Sequence, residues 1–130
     1  MSSWDQYLDR LKVPSVTEAA IYGLDGNVWA TTKGLEGLTV EQIKYLAGSS
    51  EPMSMSGPKL GNMKCMLLKD DRSNPMSLCL HLRTSQADGK LPVCVGKTHK
   101  ALLIVIGSAS GGQLTDAIYK LVTYLKNNNY

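Results

Sequence analysis

The chain has 130 residues, 43% of them hydrophobic, which suits one compact domain over residues 1–130 and argues against disorder. Fourteen basic and eleven acidic residues give a net charge of +3, too small a bias to predict nucleic acid as a partner. The three cysteines are widely spaced, which argues against a disulfide framework and a zinc site. The polar start, MSSWDQYLDR, is unlike a signal peptide, and no apolar run approaches the ~20 residues that span a bilayer. We therefore expect a cytoplasmic protein with buried free thiols.

The charge is unevenly distributed. Residues 1–58 hold four basic and seven acidic groups, whereas residues 59–130 hold ten basic and four acidic groups. The second part of the chain can present a basic surface to an acidic protein or an anionic lipid. The simpler alternative is a set of solvated surface lysines.

The first part of the chain predicts a helix, a hairpin and a second helix. A capping-box pattern at residues 3–6 opens a helix whose apolar face has helical spacing and which ends before Pro14. Residues 19–24 and 27–31 flank Asp25-Gly26, which predicts a β-hairpin. A second capping box at residues 39–42 opens a helix that ends at Gly48.

The rest of the chain predicts strands and a last helix. From Glu51 onwards it is β-like, with strands at 64–69, 76–83, 91–96 and 99–106. In residues 76–83 the even-numbered positions are apolar, which predicts one buried and one more polar face. A glycine-rich loop at 107–112 precedes a helix over 113–127 with a clean apolar stripe and Tyr124 on its flank. The order predicts an α+β fold with one central antiparallel sheet, and the two amphipathic terminal helices each need a sheet face to bury their stripes. That both helices pack side by side on one face is an assumption at this point.

No pattern in the chain predicts catalysis strongly. His81 lies in a predicted strand and His99 near the start of another, and neither belongs to a nucleophile motif. The glycine-rich loop lacks the lysine of a phosphate-binding loop, and a turn explains its glycines equally well. A small enzyme that uses His81 or His99 remains an alternative, but we expect no catalytic residue, metal or cofactor.

The aromatic residues are more informative. The chain has two Trp, six Tyr and no Phe, so every ring carries an N–H or O–H donor. Trp4 and Tyr7 share a helix face with leucines, which also allows a plain core role. If the terminal helices are neighbours, these rings and Tyr124 form an exposed groove of parallel rings. Such a groove suits a polyproline II ligand, whose prolines stack on ring faces and whose carbonyls accept hydrogen bonds.

The sequence resembles the profilin family along essentially its whole length. The resemblance is carried by the opening SWDQYLD at 3–9, by AAI at 19–21 and VWA at 28–30, and by Leu60-Gly61 with Lys64-Cys65. It continues through LRT at 82–84, Lys97-Thr98 with Lys100, and Gly111-Gly112 before the last helix. It implies an α/β/α sandwich, a central antiparallel sheet sandwiched by helices, with the N- and C-terminal helices packed together on one face. It also implies a monomeric protein of the cytoplasm and cytoskeleton without enzymatic activity. The implied partners are monomeric actin, proline-rich proteins such as actin-nucleation and elongation factors, and phosphoinositide headgroups.

The resemblance also implies three sets of binding residues. The polyproline site would comprise Trp4, Tyr7, Trp29, Tyr124 and Tyr130. The actin site would comprise Met55, Lys64, Lys69, Arg83, Ser110, Gly112, Thr115, Asp116 and Lys120. The phosphoinositide site would comprise Lys64, Lys69, Arg83 and Lys126, so that lipid and actin should compete.

Three residues depart from the family pattern. Ser110 stands where animal profilins often have His, and Asp116 and Lys120 reverse the usual charges. Reversed charges weaken an interface, most of all where they are buried. The alternative is therefore a proline-rich-peptide adaptor with weak or no actin binding.

Overall fold

The computed structural model describes residues 4–107 and 111–130. Its helices are α1 (Trp4–Leu11), α2 (Val40–Ala47), α3 (Glu51–Met55) and α4 (Gly111–Asn127). Its strands are β1 (Val16–Gly23), β2 (Val28–Thr31), β3 (Lys59–Leu60), β4 (Met63–Asp71), β5 (Cys79–Thr84), β6 (Pro92–Lys97) and β7 (Ala101–Gly107). The strands form one sheet in the order β2-β1-β7-β6-β5-β4-β3, with antiparallel neighbours throughout. No helix in this part of the chain is long and apolar enough to cross a bilayer.

Helices α1 and α4 pack on one face of the sheet, as predicted. The apolar stripe of α4 is buried against β6 and β7, and α1 contributes Leu8 and Leu11 to the same core. A Cβ on Gly96 in β6 would stand 2.5 Å from a methyl of Ile118 and 2.7 Å from one of Val122. The absence of a side chain at Gly96 therefore lets α4 lie directly on β6.

Helices α2 and α3 cover the opposite face. The predicted capping box of α2 is present, because Thr39 and Gln42 exchange hydrogen bonds of 3.1 Å. The Gln42 amide also pairs with the main chain of Gly61. Tyr22 is buried in this second core and donates its hydroxyl proton to the Leu35 carbonyl. Both faces of the sheet are thus covered by helices.

Two predicted segments are wrong. Residues 51–55 form helix α3 rather than β-like structure. The helix tolerates Pro52 because this residue lies in the first turn, where a missing N–H costs nothing. Strand β5 begins only at Cys79: Met76 is 82% exposed, and Leu78 has a positive φ of 58° and packs on the α1–α4 side. The other face of β5 is not polar throughout either, since Cys79 is buried beneath α4.

The remaining elements agree with the predicted order, and their ends differ by a few residues. Gly26 and Gly89 have φ of +99° and +89°, which fits the two turns predicted from Asp-Gly pairs. The stripe residues of α4 are all buried, and Tyr124 lies on its flank, 37% exposed. The three cysteines are buried and unpaired, as predicted. Ser3 of the first capping box and loop residues 108–110 lie outside the described residues.

Candidate functional site

The five aromatic residues predicted to form a groove lie together: four form a row in the order Tyr130, Trp4, Tyr7 and Tyr124, and Trp29 lies beside Trp4. The Trp4 ring lies 5.1 Å from Tyr7, 4.5 Å from Trp29 and 5.1 Å from Tyr130, centroid to centroid. Tyr7 in turn lies 5.7 Å from Tyr124. The rings are tilted by 38° to 88° to one another, so the expectation of parallel rings is wrong. The row nevertheless presents aromatic faces and polar edges on one continuous surface, which we call the aromatic groove.

Three elements bring these rings together. Trp4 and Tyr7 stand on α1, Tyr124 on α4 and Trp29 on β2, and α1 contacts both α4 and β2. Trp4, Tyr7 and Trp29 are half-buried against the core, so one side of each ring is anchored by packing. The core role considered for Trp4 and Tyr7 is therefore only partly right.

Tyr130 is fixed by the main chain. Its main-chain oxygen accepts hydrogen bonds from the Thr98 hydroxyl at 2.7 Å and the Lys100 amide at 2.6 Å. Its own amide donates to the Leu125 carbonyl at 2.8 Å. These hydrogen bonds hold Tyr130 against Trp4.

Cations lie at both ends of the aromatic groove, and the sequence analysis did not single them out. The Arg10 guanidinium carbon lies 4.4 Å from the Tyr124 centroid and 5.4 Å from that of Tyr7. The Lys100 ammonium lies 5.6 Å from the centroid of Tyr130. The spacing of Tyr7 and Arg10 is i,i+3 on a helix, which places the two side chains next to each other and could have predicted the first contact.

The hydroxyl groups in the groove also interact. A hydrogen bond with the Tyr124 hydroxyl raises the pKa of Tyr7, and the Arg10 charge acts in the opposite direction. At this end of the groove the Tyr7 proton is thus shared with the Tyr124 hydroxyl.

A second candidate surface lies on the outer strands β4 and β5, on the face that carries α4. Arg83 pairs in register with Met66, and His81 with Lys69, which puts these side chains on one face. Lys64 and Arg83 line an open cleft of about 430 Å³, together with Lys90. We call this surface, defined by Lys64, Lys69, Arg83 and Lys90, the basic face.

The other residues of the predicted actin set are spread more widely. Thr115, on the first turns of α4, lies 3.7 Å from the Cys94 sulfur beside the basic face. Asp116 and Lys120 form an ion pair at 3.0 Å and line a cavity with Arg10, towards α1. Met55 is 92% exposed at the end of α3, a helix that packs on the opposite face of the sheet. Gly112 lies in the first turn of α4, and Ser110 lies outside the described residues.

Lys126 is separate from the other predicted phosphoinositide residues. It lines a polar cavity of about 610 Å³ with Arg72, Lys97 and His99. The Arg72 guanidinium donates to the carbonyls of Leu46 and Gly48, and the Lys97 ammonium to that of Ala47. These two cations satisfy the C-terminal carbonyls of α2.

Asp70 holds Arg72 in place. Both carboxylate oxygens accept hydrogen bonds of 3.0 Å from the Arg72 guanidinium. These bonds lower the pKa of Asp70 to about 2, while partial burial acts in the opposite direction. Asp70 therefore stays ionised at all but the most acidic pH.

His81 belongs to a partly buried chain of polar side chains. Its Nδ1 lies 3.7 Å from the Cys94 sulfur, and its Nε2 lies 3.8 Å from a carboxylate oxygen of Asp71. A hydrogen bond from Cys79 and contact with His81 lower the pKa of Cys94, and contact with Cys94 raises the pKa of His81. Because Cys94 is only 1% exposed, its sulfur is closed to a substrate. His99 lies on an exposed turn.

Comparison with known proteins identifies the family. The profilin family model matches residues 2–130. The chain belongs to the profilin family.

Individual relatives agree over the full length. Human Profilin-1 is 27% identical over 140 residues and is covered completely, as is this chain. Profilin-1A of Acanthamoeba castellanii is 33% identical over 131 residues, with 95% of each chain covered. Among solved structures, mouse Profilin IIa in complex with a double repeat from the FH1 domain of mDia1 superposes with a TM-score of 0.89 at 28% identity. It covers 99% of this chain and 100% of the mouse protein, so this profilin has the full family fold.

Proposed function

We propose that this profilin binds monomeric actin and proline-rich segments and regulates actin polymerisation without catalytic activity. Proline-rich ligands bind in the aromatic groove, and actin binds the basic face with the start of α4. The proposed binding to actin implies that the protein acts in the cytoplasm and at the cytoskeleton. The observation that carries the proposal is the convergence of five rings into one surface of a profilin fold. Four of the rings stand on α1, β2 and α4, and the fifth is that of Tyr130.

Proline binding follows from the chemistry of the groove. A polyproline II helix has no internal hydrogen bonds, so its carbonyls are free to accept protons from Trp and Tyr edges. Its rings stack on the aromatic faces, and the ligand loses little entropy because it is already extended. The mouse relative that was solved with an FH1 repeat supports this assignment.

The test is a titration of the protein with decaproline, followed by Trp fluorescence. Trp4 and Trp29 are the only tryptophans in the chain and both lie in the groove. We expect a saturable change in emission. No change at millimolar peptide would contradict the proline site.

Actin binding is supported by family membership and by charge. The basic face carries an excess of cations, which complements an acidic partner and accelerates encounter. Pyrene-actin polymerisation should slow, with a longer lag, as the protein is added. Absence of monomer sequestration at tens of micromolar, a binding free energy of roughly −6 to −7 kcal/mol, would favour the proline-rich-peptide adaptor instead.

The adaptor alternative rests on Ser110, which lies outside the described residues, and on Asp116 and Lys120. The latter two residues pair with each other at 3.0 Å on exposed positions of α4. Because this pair is solvated and internally neutral, it would weaken a charged interface less than two isolated reversed charges. The proposal of actin binding is therefore retained.

Phosphoinositide headgroups form the third proposed ligand class. Lys64, Lys69 and Arg83 share the basic face, whereas Lys126 lies in the cavity beside Arg72. Each cation contributes about 1 kcal/mol near an anionic surface, so binding should be weak and salt-sensitive. Vesicles that contain phosphoinositide should compete with actin for the basic face.

A further inference from the structure

One end of the aromatic groove carries an exposed guanidinium. Arg10 follows Tyr7 by three residues on α1, and its guanidinium lies over the rings of Tyr124 and Tyr7. The shorter distance, 4.4 Å to the Tyr124 centroid, shows that it covers one face of that ring. A proline ring cannot stack on the same face while Arg10 is there.

Acidic side chains near Arg10 are engaged elsewhere. Asp9 pairs with Lys12 at 3.5 Å, and Asp116 pairs with Lys120 at 3.0 Å. Across residues 4–107 and 111–130, no carboxylate lies within 4.0 Å of the Arg10 guanidinium. The end of the groove formed by Tyr7 and Tyr124 therefore has an uncompensated positive charge.

A guanidinium that stacks on a ring keeps its hydrogen bonds available. Its five N–H donors lie in the guanidinium plane and point outwards from the ring face, in a fork that fits a carboxylate. Beside it lies a cavity of about 330 Å³ that can admit the stem of a side chain. The cavity is lined by Arg10, Val13, Ala117 and Leu121 and by the paired Asp116 and Lys120, which together add no net charge. Stacking also fixes the guanidinium, which lowers the entropy lost when a carboxylate binds.

We infer that the groove selects proline-rich segments in which an acidic residue adjoins the proline run, with its carboxylate bound by Arg10. This inference rests on the proposed proline binding. A polyproline II helix advances about 3.1 Å per residue, so each ring-to-ring step of 5.1 to 5.7 Å corresponds to about two residues. Arg10 lies 5.4 Å from the Tyr7 centroid, so prolines that occupy Tyr130, Trp4 and Tyr7 bring a residue about two positions further along to Arg10.

The test compares peptides that differ only in one charge. Decaproline with Glu at its N-terminal or C-terminal end is measured against the same peptides with Gln, by calorimetry at low salt. Both ends are tested because a polyproline II helix can enter the groove in either direction. We expect one Glu peptide to bind about fivefold more tightly than its Gln counterpart, as for a favourable ion pair.

Two variants assign the preference to Arg10. Arg10→Gln should bind the Glu and Gln peptides equally, and the ratio of these two affinities, rather than decaproline affinity, reports the contact because Arg10 also covers ring surface in the groove. Lys44→Gln makes the same charge change on α2, across the sheet, and should keep the preference.

The outcomes separate this inference from the proposed function. Equal binding of all Glu and Gln peptides to the wild type overturns the acidic preference and leaves proline binding intact. A preference that survives in Arg10→Gln also overturns it, and points to Lys100 beside Tyr130. Failure of every peptide, decaproline included, overturns the proline site and this inference with it.

Discussion

At the scale of single residues, Trp4 is the centre of the aromatic groove. It is in ring contact with Tyr7, Trp29 and Tyr130, whereas Tyr124 contacts only Tyr7 among the rings. Central aromatic residues in a binding surface contribute about 2 kcal/mol or more when truncated. Trp4→Ala should therefore weaken decaproline binding by roughly thirtyfold, measured by calorimetry, while actin binding changes less than twofold.

Tyr45→Ala is the control for this prediction. It removes a half-buried ring from the opposite face of the sheet, in α2, and should leave decaproline binding unchanged. Equal loss of proline and actin binding in Trp4→Ala would contradict the separation of the two surfaces and indicate a general loss of structure.

Asp70 gives a prediction about pH. Its pKa falls from the ordinary 3.8 to about 2 in the folded protein, because it accepts two hydrogen bonds from Arg72. A carboxyl whose pKa is lower in the folded state stabilises that state above its unfolded pKa, and this contribution is lost as the pH falls through the folded value. Asp70→Asn should cost about 1 kcal/mol at pH 7, and the difference from wild type should shrink between pH 4 and pH 2.

Urea unfolding at pH 7, 4 and 2.5 measures this difference. Asp9→Asn removes a carboxylate that is 74% exposed and should change the free energy of unfolding by less than about 0.5 kcal/mol. A constant difference for Asp70→Asn over the whole pH range would show that the ionised form contributes nothing specific.

Some residues could be assigned a role from the sequence, whereas others take their role from partners that are distant along the chain. The rings of the groove could be predicted because three of them lie on amphipathic helices and because the sequence resembles the profilin family, in which many members have His at the position of Tyr124. Asp70 and Arg72 read as an ordinary polar turn, since their role depends on the carbonyls of α2, more than twenty residues away along the chain. Whether the positive charge of Arg10 is compensated depends on which neighbouring carboxylates are already paired, and these pairs are visible only in the structure.

At the scale of elements, periodicity predicted the long amphipathic segments and failed on the short ones. Helix α4 and the covered strands have clear apolar patterns, so the apolar stripe of α4 and the order of these elements along the chain were predicted correctly. Helix α3 has five residues, too few for a periodic pattern, and only Met53 is buried. The apparent alternation through Met76 and Leu78 reflects chance spacing in a loop whose direction is set by a positive φ.

The contact of α4 with β6 gives a prediction at this scale. A Cβ at Gly96 would meet branched methyl groups of Ile118 and Val122 at 2.5 and 2.7 Å, and these cannot swing away freely. Gly96→Ala should therefore push α4 outwards and cost about 1–3 kcal/mol. Because α4 carries Tyr124, decaproline affinity should fall severalfold as well.

Gly37→Ala is the matched control, since a Cβ at Gly37 meets nothing within 4 Å. It should be neutral or slightly stabilising. Thermal unfolding and calorimetry on both variants test the pair, and equal stabilities would show that α4 accommodates the methyl group without moving.

At the scale of the whole molecule, the two proposed binding surfaces differ in their physics. The aromatic groove binds through uncharged rings and hydrogen bonds, whereas the basic face relies on charge. In the described part of the chain, neither Lys64 nor Arg83 has an ion-pair partner, so both remain available to an acidic protein. At 0.1 M salt, interactions between exposed charges that are more than about 10 Å apart are largely screened. Rising ionic strength should therefore weaken actin binding more than proline binding.

The last prediction uses this difference. From about 25 to 250 mM salt, actin affinity should fall about tenfold and decaproline affinity should change less than twofold. Lys64→Glu with Arg83→Glu should weaken actin binding at low salt to a similar extent and leave decaproline binding intact. Lys33→Glu with Lys44→Glu makes the same change of net charge away from the basic face, and should preserve both affinities. If this control weakens actin binding equally, the overall charge of the molecule, rather than the basic face, determines its attraction to actin.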